Sequence, residues 1–324
     1  MRSVLFRFTI PLINQTLTIR FYGFMIMCGF LLSLYLARKR AAKTGVNPDA
    51  LSDMAIAGLI CGIIGARLYY VIIEWGYFSR NLAEIIRIDK GGLVFYGGII
   101  GGALGVMWHI RKNKLPFGPA LDVCASVVPL AHAFGRAGCF MNGCCYGRLT
   151  DLPWGVTFPR VTDVAGKIIG SDPYLGHLEK HLITPDALRS LPVHPVQLYD
   201  AAFNMVIFAY LSWYLSRRPR SGNVVLAYMV TYGVCRSLNE FLRGDVTPHF
   251  GTLSLAQYIS FTVAGASLAA LVWRWTHPLP ETAVPQTGDA GAGAASDKEN
   301  DHSAPAAGAN RGPGRRSTKK NRNK

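Results

Sequence analysis

The chain has 324 residues, 50% of them apolar and only 16% charged, with a formal net charge of +15. A mean hydropathy of +0.21 with so little charge excludes an ordinary soluble enzyme and points to a membrane protein. Part of the basic excess lies in the carboxyl-terminal tail, so the high pI does not argue for a nucleic-acid partner.

Residues 1–20, "MRSVLFRFTIPLINQTLTIR", have no long apolar core or small-residue cleavage site before Pro11. They read as a surface arm rather than a cleaved signal peptide. A hydrocarbon core about 30 Å thick needs roughly 20 helical residues. About seven stretches qualify: Phe21 to Ala37, Met54 to Ile73, Gly92 to Ile110, Pro119 to Gly135, Leu198 to Leu215, Val224 to Leu242 and Gln257 to Trp275. The expected fold is therefore an all-α polytopic membrane protein. It has spans one to four within residues 21–137, a signature loop and small external head over 138–196, and spans five to seven within 197–277. From residue 278 to 324 the composition shifts to Ala, Gly, Pro, Ser and charge, which cannot bury enough apolar surface to order itself; this is a basic tail facing anionic lipid. No internal repeat is evident, which weakens a transporter built from inverted halves.

Basic residues in short loops set the orientation. Arg38, Lys39, Arg40 and Lys43 follow span one, Arg111, Lys112 and Lys114 follow span three, and Arg217, Arg218 and Arg220 follow span five. The amino terminus is thus expected outside and the carboxyl terminus inside.

On this topology the unusual polar residues meet at one depth. Tyr22 starts span one, Arg67 nears the end of span two, Tyr96 starts span three and Arg136 ends span four. "HPVQLYD", with His194 and Gln197, opens span five; Tyr232, Arg236, Glu240 and Arg243 end span six, and Gln257 opens span seven. An ionisable group costs about 2.5–3.5 kcal/mol at a helix centre on insertion scales, so such groups face protein or water. One arginine near a helix end is an ordinary snorkelling anchor. Arg67, Arg136, Arg236 and Arg243 together repel unless carboxylates or an anion neutralise them. Glu240 does so in part, one helical turn from both Arg236 and Arg243. The remaining charge suggests a phosphate.

The segment "GRAGCFMNGCCYG", Gly135 to Gly147, holds three of the seven cysteines. A structural zinc site wants four ligands, commonly in spaced pairs, whereas here there is an adjacent pair plus one distant cysteine, with His132 inside the preceding span as a nominal fourth. No metal is expected on that count. No C-x-x-C is present for thiol redox chemistry. A structural disulfide of Cys139 with Cys144 or Cys145 stays open on an oxidising face of the membrane. Cys28, Cys61, Cys124 and Cys235 read as small packing residues. The glycines and Asn142, beside Arg136, suggest a backbone cradle for an anionic headgroup.

These residues resemble the bacterial prolipoprotein diacylglyceryl transferases. That family's signature has the form G-R-x-G-N-F-x-N-x-E-x-x-G, matched here by Gly135, Arg136, Gly138, Phe140, Asn142 and Gly147. The likeness continues through "FYG" at Tyr22, "GAR" at Arg67, "FYGG" at Tyr96, Asp122, "HPVQLYDA" at His194, "YGVCRSLNEFLRGD" from Tyr232 and "LSLAQ" at Gln257. Cys139 stands where asparagine is usual, Cys144 where glutamate is usual, and Tyr96 where a number of members have a histidine. The resemblance implies transfer of the diacylglyceryl group of phosphatidylglycerol to the lipobox cysteine of prolipoproteins, with release of glycerol phosphate, in a bacterial inner membrane and without a cofactor. Arg136, Arg236 and Tyr96 are then the expected catalytic residues. Tyr22, Arg67, Asn142, Gly147, His194, Gln197, Tyr232, Glu240, Arg243 and Gln257 would line the substrate site. Two rival readings are a non-catalytic phospholipid-binding relative and a membrane thiol oxidoreductase.

Overall fold

The computed structural model describes residues 4–10, 15–88, 91–162, 168, 170–245 and 253–277. The expected tail over 278–324 lies outside them. The amino-terminal arm is an antiparallel hairpin of β1 (Val4–Ile10) and β2 (Gln15–Arg20), which leads directly into α1 (Phe21–Thr44). The remainder is nearly all helical: α2 (Pro48–Ile73), α3 (Trp75–Phe78), a short 3-10 turn (Leu82–Ile86), α4 (Phe95–Lys112), α5 (Phe117–Asn142), α6 (Asp172–Glu179), α7 (Val196–Ser216), α8 (Asn223–Phe241) and α9 (Leu255–Thr276).

Seven of these helices have 18 residues or more, at the positions of the seven expected spans. Four of them, α1, α2, α5 and α9, are long and apolar enough to cross a membrane by length and composition. The other three are diluted by glycine in α4 and by buried polar residues in α7 and α8, so the count of seven spans rests on pattern alone. Large apolar side chains cover the outer faces, among them Leu31, Ile64, Leu104, Val206, Leu238 and Val272, each more than half exposed. A soluble protein does not present so much contiguous apolar surface to water, and the chain is a membrane-embedded, multi-pass protein.

The helix ends have local causes. Asn47 caps α2 by accepting from the amides of Asp49 and Ala50, with Pro48 in the first turn. Ser254 and Gln257 close a capping box on α9. Gly222 opens α8 in the left-handed region (φ 87°) and brings no side-chain cap. Its cap comes from another helix: Asp122 on α5 accepts from Gly222 N at 2.6 Å and from Val225 N at 3.0 Å. The acidic group in span four is thus a helix cap.

Packing centres on α5, which contacts α1, α7 and α8. Separately, α2 and α4 touch along a glycine seam. A Cβ on Gly65 would stand 2.4 Å from the Gly97 carbonyl, and one on Gly101 would stand 2.3 Å from that of Cys61. Such approach replaces side-chain interdigitation with backbone van der Waals contact.

The described residues within 143–195 have a small core of their own, Tyr146, Phe158 and Val193. Short bridges pair Leu149 and Val156 with Val193, and Pro159 with Arg189. The helix before this segment runs through Asn142, so the first half of the signature is helical.

Candidate functional site

Three helices deliver the charged groups. From α5, Arg136 Nε meets Asp200 Oδ2 of α7 at 2.8 Å and lies 3.3 Å from His132 Nε2, one turn earlier. That imidazole nitrogen accepts and so carries no proton. Asn204 steadies the other Asp200 oxygen at 2.9 Å. From α8, Arg236 pairs in a short contact with Glu240 Oε2, and Ser254 Oγ donates to Glu240 Oε1 at 2.9 Å. Arg243 completes the chain, 3.7 Å from Glu240 and bidentate to Asp245 at 2.9 and 2.8 Å. The Tyr232 ring lies 5.2 Å from that of His132, and both sense the charges of Arg136, Asp200 and Arg236. The two ion-paired groups therefore form one polar region.

Its charge differs from the expectation. Three arginines face three carboxylates, Asp200, Glu240 and Asp245, so the region has no large formal excess. Asp200 is the member of this region that was not among the expected site residues, although a carboxylate one turn before Asn204 in an apolar span was the available signal. Burial acts against the charge on Arg243, but Asp245, then Cys145 and Glu240, outweigh it and hold the guanidinium above its ordinary range.

The signature turn follows α5. Gly143 takes the left-handed conformation (φ 73°), its amide returning to Cys139 O at 2.9 Å, and Cys145 is also left-handed (φ 55°). The Sγ atoms of Cys139, Cys144 and Cys145 lie within 4.8 Å of one another. Hydrogen bonds from Cys139 and Cys144 first, then the charges of Arg243 and Arg136, hold the Cys145 thiol well below its ordinary range despite burial. The Asn142 side chain lies near enough to Cys144 to favour its thiolate. Tyr22 stands over Gly138, where a Cβ would come within 3.2 Å of its ring, and senses Arg136 and all three thiols.

Several of the residues expected at the substrate site make contacts within the protein. Arg67 is nearly buried and donates to the carbonyls of Glu84, Ile85, Gly91 and Gly92 at 2.6–3.1 Å, beneath the rings of Tyr70 and Phe78. It clasps the loop before α4, because a planar guanidinium satisfies several carbonyls that no helix can. Gly147 packs closely on the start of α7: a Cβ would stand 2.5 Å from His194 O. The Gln197 amide donates to Cys144 O at 2.8 Å, and Gln257 caps α9 and reaches Ser237 O at 3.3 Å. His194 lies 3.5 Å from Tyr199 OH, which also accepts from Trp154 at 2.8 Å, bracing the head. Tyr96 begins α4, half exposed against Phe95, with no hydrogen bond or ion pair to the arginines among the described residues. The expected backbone cradle contracts too, since Gly135 and Gly138 lie inside α5.

Comparison with known proteins identifies the family. The family model described as prolipoprotein diacylglyceryl transferase matches residues 10–273. A Clostridium tetani protein named phosphatidylglycerol–prolipoprotein diacylglyceryl transferase is 36% identical over 78% of this chain and 93% of its own. Proteins of the same name from Aliivibrio salmonicida and Nostoc sp. are 34% and 32% identical, over 84% and 85% of this chain and 89% and 92% of theirs. The match takes in every ion pair of the polar region, and the chain belongs to the prolipoprotein diacylglyceryl transferase family.

Proposed function

We propose that the chain transfers the diacylglyceryl group of phosphatidylglycerol to the lipobox cysteine thiol of a prolipoprotein, at the outer face of a bacterial inner membrane. The observation that carries this reading is the joining of Arg136, Arg236 and Arg243, from two helices and a following turn, around carboxylates at one end of the bundle. The basic loops after α1, α4 and α7 lie at the opposite end of those helices, which supports an amino terminus outside.

The reaction breaks a carbon–oxygen bond and turns a phosphodiester of charge about −1 into a monoester approaching −2. Charge grows on the leaving oxygen, so donors aimed there stabilise the transition state more than the bound lipid. Because Asp200, Glu240 and Asp245 already offset the guanidiniums, the site does not hold the ground-state lipid too tightly. Arg136 and Arg236 take the leaving phosphate, Tyr232, Asn142 and Tyr22 border the headgroup, and Glu240 and Arg243 keep Arg236 in place. Tyr96, removed from the arginines, borders the lipid entry rather than acting as a base.

Incubation of the purified protein with labelled phosphatidylglycerol and a lipobox peptide tests this directly. A thioether-linked diacylglyceryl peptide and one glycerol phosphate per peptide are expected. Arg136→Ala and Arg236→Ala each lower the rate by about 10²–10³, as loss of a charged transition-state donor does. No transfer by the unmodified, folded protein would leave only a phospholipid-binding role.

A further inference from the structure

The substrate thiol poses a problem that the arginines do not solve. With a pKa near 8.5, only about 3% is thiolate at neutral pH. His132 is engaged by Arg136, and Tyr96 has no hydrogen bond to the arginines among the described residues.

Beside the arginines, however, lies the cysteine triad. Its three sulfurs, all within 4.8 Å of one another, fit a single ion, since two sulfurs about 2.3 Å from a tetrahedral zinc stand roughly 3.8 Å apart. The triad is also held in advance. The left-handed backbone at Cys145, unfavourable for a side chain with a Cβ, turns the chain so that Cys145 joins its two neighbours. Gln197 fixes the Cys144 carbonyl at 2.8 Å, and Asp172 N fixes that of Gly143 at 3.0 Å. Cys139 is buried while Cys144 and Cys145 are partly open, so the cluster is sealed on one side only. Three thiolates around a divalent ion carry one net negative charge, and Arg136 and Arg243 act on Cys145 from nearby. Spacing along the sequence argued against a metal because it counted protein ligands to four. A site that works on a substrate keeps its fourth position open.

We infer that Cys139, Cys144 and Cys145 bind one thiophilic divalent cation of the zinc type, whose open fourth position takes the substrate's thiol and activates it for alkylation. This rests on the transfer reading given above. On ligation the peptide S–H releases its proton to solvent, since a coordinated thiol is deprotonated outright. A sulfur electron pair then forms the bond to the glyceryl carbon while the carbon–oxygen bond breaks, its electron pair passing to the phosphate beside Arg136. The neutral thioether is a poorer ligand than a thiolate and leaves the ion. No electron is gained or lost overall.

The test uses the full chain, purified in detergent under reducing conditions and given zinc(II) or cadmium(II). One ion per chain should survive gel filtration, with a cadmium–thiolate charge-transfer band in the ultraviolet. Cys139→Ser or Cys144→Ser should abolish the band, and Cys61→Ser, on the α2–α4 seam, should leave it unchanged. A lipobox peptide should intensify the band and its serine counterpart should not, while chelation should lower transfer at least tenfold until zinc is restored. Full transfer by metal-free protein, no ion bound to the unmodified chain, or a disulfide within the triad in native membranes overturns the proposal but leaves the transfer reading intact. Stoichiometric zinc and a peptide-dependent band without any transfer would instead uphold the site and remove that reading.

Discussion

Arg136 shows how one carboxylate changes what a cation does. Its guanidinium is ion-paired with Asp200, which is itself held by Asn204, while its Nε donates to His132, so the group is aimed rather than free. In Asp200→Asn the amide oxygen still accepts, yet the countercharge is gone and Arg136 binds the lipid phosphate more tightly before reaction. Both KM and kcat should therefore fall, kcat by about tenfold or more, because interaction strength has moved from the transition state to the ground state. Steady-state kinetics on phosphatidylglycerol vesicles separate the two, and a rise in KM at constant kcat would contradict this role. Arg136, Arg236, Glu240 and Arg243 were legible because ionisable groups are costly in apolar spans and their helical spacing places them on one face. Asp200 was obscured by its separation of 64 positions from Arg136, since nothing local says which cation a carboxylate will meet. Arg67 misled for the converse reason: in sequence it is one more cation at the right depth, whereas in space its partners are carbonyls of its own connecting loop.

Among the elements, hydropathy gave the long helices but not their ends or their mutual support. The period-two alternation of Phe6, Phe8 and Ile10 with Arg7 and Thr9 was the available signal for the hairpin. The cap of α8 had no local signal, because Asp122 lies about a hundred residues before the amides it satisfies. Asp122→Ala leaves two amides of α8 without that acceptor and should cost about 1–2 kcal/mol, as loss of a cap does. For a domain of this size the thermal midpoint in detergent should fall by about 2–8 °C, with Asp122→Asn intermediate. An unchanged midpoint in the alanine variant would show that water caps the helix as well as the carboxylate does.

For the whole molecule, the distribution of basic loops predicts an orientation that reporter fusions can read. Alkaline phosphatase inserted in the head at Asp151 should be active, and fusions after Lys43 or Lys114 should be inactive, with a cytoplasmic fluorescent reporter giving the reverse pattern. Phosphatase activity after Lys43 would invert the topology and put the reaction on the wrong side of the membrane for a secreted precursor.

The signature turn is joined to distant chain on both sides. Gly147 N bonds His194 O at 3.2 Å, Arg148 N bonds Leu242 O at 2.8 Å, and Gly244 N returns to Tyr146 O at 3.0 Å. During synthesis, a ribosome that has delivered Arg136 has therefore not yet made an enzyme. The turn waits for about a hundred further residues, and until Gly244 emerges the partial chain has no assembled place in which to cleave a lipid. Backbone pairing across that separation makes the last steps of folding slow. It also means that a chain ending before Leu242 leaves the turn without two of these backbone partners.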